Sequence, residues 1–379
     1  MTSGDDETQI LCYNDYMRPG GDVIILGGGV IGLTTAYFLA RDGASVVLCD
    51  QAKTGMEASW AGAGILPPSD LDHAQYPADR LRAISGKLFP DLSAELKDRA
   101  GIDNGFSRCG GLEFLGHSAH VATDEWYGLG VATSVLSEKE VAALEPALAP
   151  GIGQAISVPG MAQLRNPRHL QALKAACLAT QKVTLLEETR AHELIREGRR
   201  IKGVHTSSEV LAGDAFLVAA GAWTDRLLEP LGCRLKIEPV RGQIVLLNPG
   251  KVVFRRILLW CAQYLVPRLD GRVLIGSTEE YAGFDRSTTP EAVRRLFELG
   301  VRLVPSLVSA TLEKRKAVVL QMLFSFQVVW QRRHSGLAGC GWKTSKASAL
   351  RRVKRCGEDW NFCCNSAGRL FPMRAGSEE

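Results

Sequence analysis

Gly27, Gly29 and Gly32 stand in Gly-x-Gly-x-x-Gly spacing, and Asp50 follows eighteen residues after the last of them. Glycines so spaced can serve a bound pyrophosphate: Gly27 for a tight turn, Gly29 for close approach of the phosphates, Gly32 for packing a helix on a strand. An acid at that distance suits the two hydroxyls of a ribose. The chemistry implied is dinucleotide binding, and it needs a strand before the glycines and a helix after them. Both are legible. Val23 to Leu26 is an apolar run suited to a strand buried on both faces, a helix is predicted over about Val30 to Arg41, and Val46 to Leu48 make the next strand. Val30 and Ile31 open that helix, so its first N–H groups and the positive end of its dipole would meet the phosphates. Asp50, with Gln51 beside it, stands where an arginine would accompany a 2'-phosphate, which argues against NADP.

Rival chemistries find little support. His192-Glu193 has no second histidine at zinc spacing, and Cys356, Cys363 and Cys364 lack a fourth spaced partner, so no metal site is expected. Gly-x-Ser-x-Gly is absent, which removes the usual serine-hydrolase signal. Ten cysteines without a Cys-x-x-Cys pair fit reduced thiols in a cytoplasm. The acidic, polar stretch 1–21 reads as a lead-in and not as a secretory signal, and VVLQMLFSFQVVW is too short and interrupted to span a bilayer. At 379 residues, two domains are expected.

The stretch after Asp50, QAKTGMEASWAGAGILPP, is rich in small residues that allow backbone to pack against a flat ligand. Its Glu57–Leu66 part resembles the second flavin contact of the FAD-dependent D-amino-acid oxidase superfamily, and the glycine oxidase family in particular. Gly221-Ala222-Trp223, Pro239-Val240-Arg241-Gly242-Gln243 and Tyr264 to Leu307 extend the resemblance, which covers about 21–314. It implies FAD as cofactor, with Ala58, Ser59, Ala63, Gly64, Ile65 and Ala191 joining Gly27, Gly29, Val30, Ile31, Gly32, Asp50 and Gln51 in holding it. Tyr264 would hydrogen-bond the substrate carboxylate. The implied fold is α/β, a Rossmann-like FAD-binding domain (22–83 and 159–232) interleaved with a mixed, mostly antiparallel substrate domain (84–158 and 233–313). The implied reaction is oxidative deamination of a small amino acid, glycine first, sarcosine or a D-amino acid next, to the oxo acid with hydrogen peroxide release from oxygen. A link to thiamine biosynthesis follows by analogy. A quinone-type acceptor is the first alternative, a homo-oligomer is left open, and neither nucleic acid nor a membrane span is expected.

Local signals fill in the rest. Residues 78–100 read as two helical pieces broken at Pro90, and Arg108 to Leu115 as a strand. Ser137 and Glu140 suggest a capping box, Asn166-Pro167 and Thr289-Pro290 start helices, and VTLLEET and DAFLVAAGAW extend the nucleotide-binding sheet. QIVLLN, QYLVPR and RVLIGST read as successive strands of the second domain.

Near Lys314 the chain changes character. Residues 1–314 carry 33 basic and 37 acidic side chains (net −4), whereas 315–379 carry 12 and 4 (net +8). The family has here a Trp-x-Gly-x-Arg-Pro segment, whose arginine grips the carboxylate, and a later glycine-rich turn over the flavin; this sequence has neither. We hypothesise that 314–379 is an out-of-frame reading, since Phe362-Cys363-Cys364-Asn365 can be coded so that the next frame reads an apolar Phe-Val-Ala-Thr. Resequencing that returns an unbroken frame through codon 379 would remove the idea. A basic extension for a partner and a solvated tail are the competing readings. If the terminus is genuine, either the protein is an inactive remnant or another cation, with Arg256 and Arg268 nearest in sequence, serves the carboxylate.

Overall fold

The computed structural model describes residues 20–114 and 126–322 and the short strands Met17–Arg18 and Val329–Arg332, with backbone alone for 17–18, 318–322 and 329–332. The expected lead-in through residue 16, Leu115 and the tail from 333, Phe362 to Asn365 included, lie outside the described residues.

The first sheet is built on β1 (Val23–Leu26), buried along its whole length. Around it lie α1 (Val30–Arg41), β2 (Val46–Cys49), α2 (Pro77–Ala100), α3 (Asn166–Ala179), β3 (Val183–Leu186) and β4 (Ala215–Val218). The sheet order is β3-β2-β1-β4, all parallel, with the antiparallel Val329–Arg332 at the β4 edge. Alternation along β1 divides its side chains between two layers. Val23 and Ile25 pack under the helices with Leu33, Tyr37, Leu96 and Leu173, while Ile24 and Leu26 face Leu194, Val204 and Leu211 of a small four-stranded sheet.

The second sheet has eight strands. β5 (Glu238–Asn248), β6 (Ile257–Trp260), β7 (Gln263–Pro267), β8 (Val273–Gly276) and β9 (Thr311–Met322) run in the order β9-β5-β8-β7-β6, followed by Gly111–Phe114, Ala155–Val158 and Ser134–Leu136. Every pair is antiparallel except β6 with Gly111–Phe114. One face carries α4 (Pro290–Leu303), whose Leu296, Leu299 and Leu303 bury Val245, Leu247 and Ile275. The opposite face, with Ile244, Leu259, Tyr264 and Val266, packs towards Ala63 and Ile65. The mixed α/β fold expected from the sequence is present.

Details agree and differ. Ser137 accepts from Glu140 N while Glu140 reaches back to Ser137 N, a complete capping box. Pro90, however, does not break α2, which is one helix. Ala83 before it and Leu92 and Leu96 after it are buried, and packing of both halves offsets the hydrogen bond that proline cannot donate. The expected strand from Arg108 is instead two, Ser107–Arg108 and Gly111–Phe114, separated by Gly110 at φ +73° and belonging to different sheets. QIVLLN, QYLVPR and RVLIGST share a sheet, but the unforeseen strand Ile257–Trp260 precedes β7, and β8 lies between β5 and β7. Nor does regular structure stop at Lys314. β9 pairs with β5 from Asn248↔Thr311 to Glu238↔Met322, because β5 offers it a long unpaired edge that no local period in β9 would reveal.

Candidate active site

The glycine turn divides its work by steric fit. Gly27 has φ +111°, and a Cβ there would stand 2.4 Å from Ala219 O; one on Gly32 would stand 1.9 Å from Gly27 O. Neither position admits a side chain. Around Gly29, by contrast, only Ser59 Oγ comes within 4 Å of an added Cβ, at 3.0 Å, so its open side faces a cavity. Ser59 Oγ also accepts from Val30 N at 2.9 Å, tying the loop after Asp50 to the start of α1. The Ile31 and Gly32 N–H groups follow in the first turn, where a helix supplies no acceptor of its own.

Asp50 sits just beyond β2 and has a structural task that the sequence did not announce. Its carboxylate accepts from Gly28 N at 2.7 Å and from Ala52 N at 2.9 Å, clamping the glycine turn against the β2 loop. Burial pushes its pKa up, and the two amide donors oppose that rise.

The cavity, of about 320 Å³, opens at the carboxyl ends of β1, β2 and β4, the crevice where parallel sheets bind nucleotides. Of the residues named as cofactor contacts, Gly27, Gly29, Val30, Ile31, Asp50, Gln51, Ala58, Ser59 and Ala191 line it together; Gly32 lies buried behind the wall. Sequence reasoning missed Arg190, His192, Ala219, Ala220 and Arg226 as lining residues. The small-residue run Ala219-Ala220-Gly221-Ala222 straight after a buried strand was the available signal.

Ala63, Gly64, Ile65 and Tyr264 do not line this cavity; they lie where the second sheet meets the loop after Asp50. Arg268 Nη2 donates to Ala63 O at 2.8 Å, Gly64 O accepts from Leu164 N at 2.9 Å, and Ile65 pairs with Gln163. The Tyr264 ring lies across Gly276, whose Cβ, if it had one, would stand 2.6 Å from Tyr264 Oη. That hydroxyl bonds Ser277, and burial raises its pKa. The two arginines named as alternatives for a carboxylate are both committed. Arg268 also gives Nη1 to Gln163 Oε1 at 2.9 Å and to Leu164 O at 3.0 Å, and burial lowers its pKa to about 10. Arg256 pairs with Glu145 at 3.0 Å.

A parallel sheet with a glycine-lined crevice, joined to a mostly antiparallel sheet that presents a half-buried tyrosine, defines a dinucleotide-binding protein of two-sheet architecture. Comparison with known proteins makes this specific. A family model described as FAD dependent oxidoreductase matches residues 22–325. The chain is 37% identical over 292 residues to a glycine oxidase of Pseudomonas putida, covering 76% of this chain and 79% of the relative. It is 30% identical over 302 residues to a bifunctional protein ThiO/ThiG of Trichormus variabilis, covering 76% and 44%. The crystal structure of glycine oxidase from Geobacillus kaustophilus matches with a TM-score of 0.76 at 28% identity, over 81% of this chain and 84% of that one. The chain belongs to the FAD dependent oxidoreductase family, and it is an FAD-dependent oxidoreductase.

The residues present fit FAD. Gly29 leaves open the space that a side chain would fill, the helix start supplies amide donors, and no side chain of the glycine turn intrudes. When bound, FAD would supply the acceptor for the two electrons taken from the substrate. Among the described residues no helix is long and apolar enough to cross a membrane.

Proposed function

We propose that the protein oxidises a small amino acid, glycine first and sarcosine or a D-amino acid next, with oxygen as final acceptor. The substrate loses two electrons and two protons to become the imino acid, water converts that to the oxo acid and ammonia (or methylamine from sarcosine), and oxygen leaves as hydrogen peroxide. The thiamine link expected from the sequence gains support from the ThiO/ThiG relative. In this reading 22–83 with 159–232 hold FAD, and 84–158 with 233–313 shape the substrate site.

The observation that carries the reading is Tyr264. Its hydroxyl is buried on the sheet face towards the Ala63–Ile65 segment, at the position where glycine oxidases are expected to bind the substrate carboxylate. Gly29, Ile31 and Gly32 would hold the pyrophosphate through backbone N–H groups, Gly27 and Val30, whose own N–H groups go to Cys49 O and Ser59 Oγ, would shape the turn around it, and Asp50 and Gln51 would hold the adenosine ribose. Ala58, Ser59, Ala63, Gly64, Ile65 and Ala191 would line the rest of FAD. Tyr264 orients the amino acid and helps exclude water, since a buried hydroxyl facing a carboxylate replaces a hydration contact with a fixed one.

Purified protein carrying FAD should consume oxygen on addition of glycine and release an equal amount of peroxide. Flavin bleached by glycine without air, yet reoxidised only by a quinone, would replace oxygen as the acceptor. FAD-loaded protein that oxidises none of the three substrate types would sink the reading.

A further inference from the structure

We propose that Lys316 supplies the cation that meets the substrate carboxylate beside Tyr264. This rests on the small-amino-acid reading above and names the side chain that recognises its acidic end. A neutral hydroxyl alone leaves a buried carboxylate uncompensated, so a cation has to face the same space as Tyr264 Oη.

Strand register locates it. Tyr264 pairs with Gly276, Ile275 with Val245, and Ile244 with Lys316. Tyr264, Gly276, Ile244 and Lys316 therefore form one row across β7, β8, β5 and β9, and Tyr264 and Ile244 of that row pack on the face towards Ala63 and Ile65. Gly276 clears the row: a Cβ there would stand 2.6 Å from Tyr264 Oη and 2.8 Å from Ile244 Cγ2. The phenol thus reaches over Gly276 towards β5 and β9. From Gly276 to Lys316 is two strand spacings, roughly 10 Å, a span that an extended lysine and a small carboxylate can close together.

Four arginines near this face are already committed: Arg268 to Gln163, Leu164 O and Ala63 O, Arg256 to Glu145, Arg241 to Glu280 and Asp285, and Arg286 to Glu57. Lys314, on the same face of β9, stands opposite Leu246, one row further from Tyr264 than Lys316. Lys316 is half-buried and, among the described residues, forms no ion pair. Its Nζ donates to Met56 O at 3.1 Å and lies 5.5 Å from the centre of the Trp60 ring. Trp60 lies in the short helix Ala58–Ala61 of the segment that continues to Ala63, so the ammonium already sits at the junction of the two sheets. One carbonyl occupies one of its three hydrogens. Burial lowers the Lys316 pKa and Glu57 opposes this, while Arg286 and Lys314 lower it further. With Glu57 already paired to Arg286, an incoming carboxylate would offset the positive charge that Lys314 and Arg286 place beside Lys316.

The test titrates FAD-loaded protein with glycolate, the glycine isostere without the amine, and reads binding from flavin absorbance. Lys316→Met keeps an unbranched chain against Trp60; it should weaken glycolate about 10- to 150-fold, the range for losing a charged hydrogen bond, with FAD retention unchanged. Lys316→Arg should stay within about threefold of the parent, because a guanidinium also binds carboxylates. If Lys316→Met binds glycolate as the parent does while Tyr264→Phe weakens it, the cation lies elsewhere and the proposal falls, although the small-amino-acid reading survives. Equal loss in the Met and Arg variants would mark a packing role and overturn it too. Parent protein that holds FAD but neither binds glycolate nor oxidises an amino acid overturns both.

Discussion

One wall of the nucleotide cavity is a single short run of chain built around glycine backbone, with 189–192 and 218–227 closing the other side, whereas the face around Tyr264 is assembled from particular side chains brought together by several strands. At the cavity, Gly27, Gly29, Asp50 and Ser59 come from one strand-helix-strand-loop run, and even Asp50 acts first on the amides of Gly28 and Ala52. At the other face, Gln163, Tyr264 with Arg268 just past the end of its strand, Gly276 and Lys316 arrive on four different strands, and what matters is which partner each polar group already has. The contrast teaches how each should fail. A site made of backbone and empty space fails sterically and at once, while a site made of charges and hydroxyls loses function in graded steps.

The largest expected effect is at Gly29. Gly29→Val should leave the fold intact, since its Cβ meets only Ser59 Oγ, yet fill the space kept for the cofactor and weaken FAD binding by about 3 kcal/mol or more. Flavin absorbance after desalting, set beside the melting temperature, measures both. Gly32→Val, with a backbone oxygen 1.9 Å from its new Cβ, should lower the melting temperature as well. A flavin-replete Gly29→Val protein would erase the contrast between the two regions.

Acid should loosen the nucleotide half through His169, which is 3% exposed on α3 and held by burial at a pKa of about 4. Asn104 Nδ2 lies 3.2 Å from its Nδ1, as suits a neutral ring that accepts there. The unfolded chain takes up a proton below about 6.5 and the folded one only near 4. Stability is therefore full above that upper value and declines by up to about 3 kcal/mol as pH falls to the lower one. His169→Gln should flatten this dependence in urea titrations at neutral and acidic pH; an unchanged slope would place the acid sensitivity elsewhere.

Asp50→Ala comes next. Losing charge-assisted contacts should weaken FAD by roughly 1.5 to 3 kcal/mol without unfolding the protein. Flavin fluorescence on dilution reads the loss, and unchanged retention would count against any ribose contact at this carboxylate.

The smallest effect is expected at Tyr264. Tyr264→Phe keeps the ring over Gly276 and removes one hydrogen bond, so KM for glycine should rise about 10-fold with a lesser fall in kcat, because the contact serves substrate and transition state alike. A fall in kcat alone would mean that the hydroxyl acts on the reaction and not on positioning.

Much of the cavity was legible because its parts are local. Glycine spacing, the apolar run of β1 and the acid after β2 constrain one another through short-range sterics, and Asn166-Pro167 and Thr289-Pro290 marked helix starts for the same reason. Pro90 misled because its local rule is sound, yet burial on both sides of it outweighs the rule. Ile257–Trp260 is not legible in the sequence because four apolar residues signal a strand only weakly, and its partner Gly111–Phe114 lies far away.

By itself, then, the sequence determined the nucleotide turn, the helix caps and the class of cofactor, all properties of contiguous residues. Only the tertiary structure decided that β9 lies beside β5, that Gly276 makes room for the Tyr264 ring, and that Arg268 spends its guanidinium on Ala63, Gln163 and Leu164. An arginine in a sequence looks the same whether it awaits a substrate or holds a loop. Which it does depends on acceptors brought to it across a hundred or more residues, and that information exists only once the sheets have registered and packed.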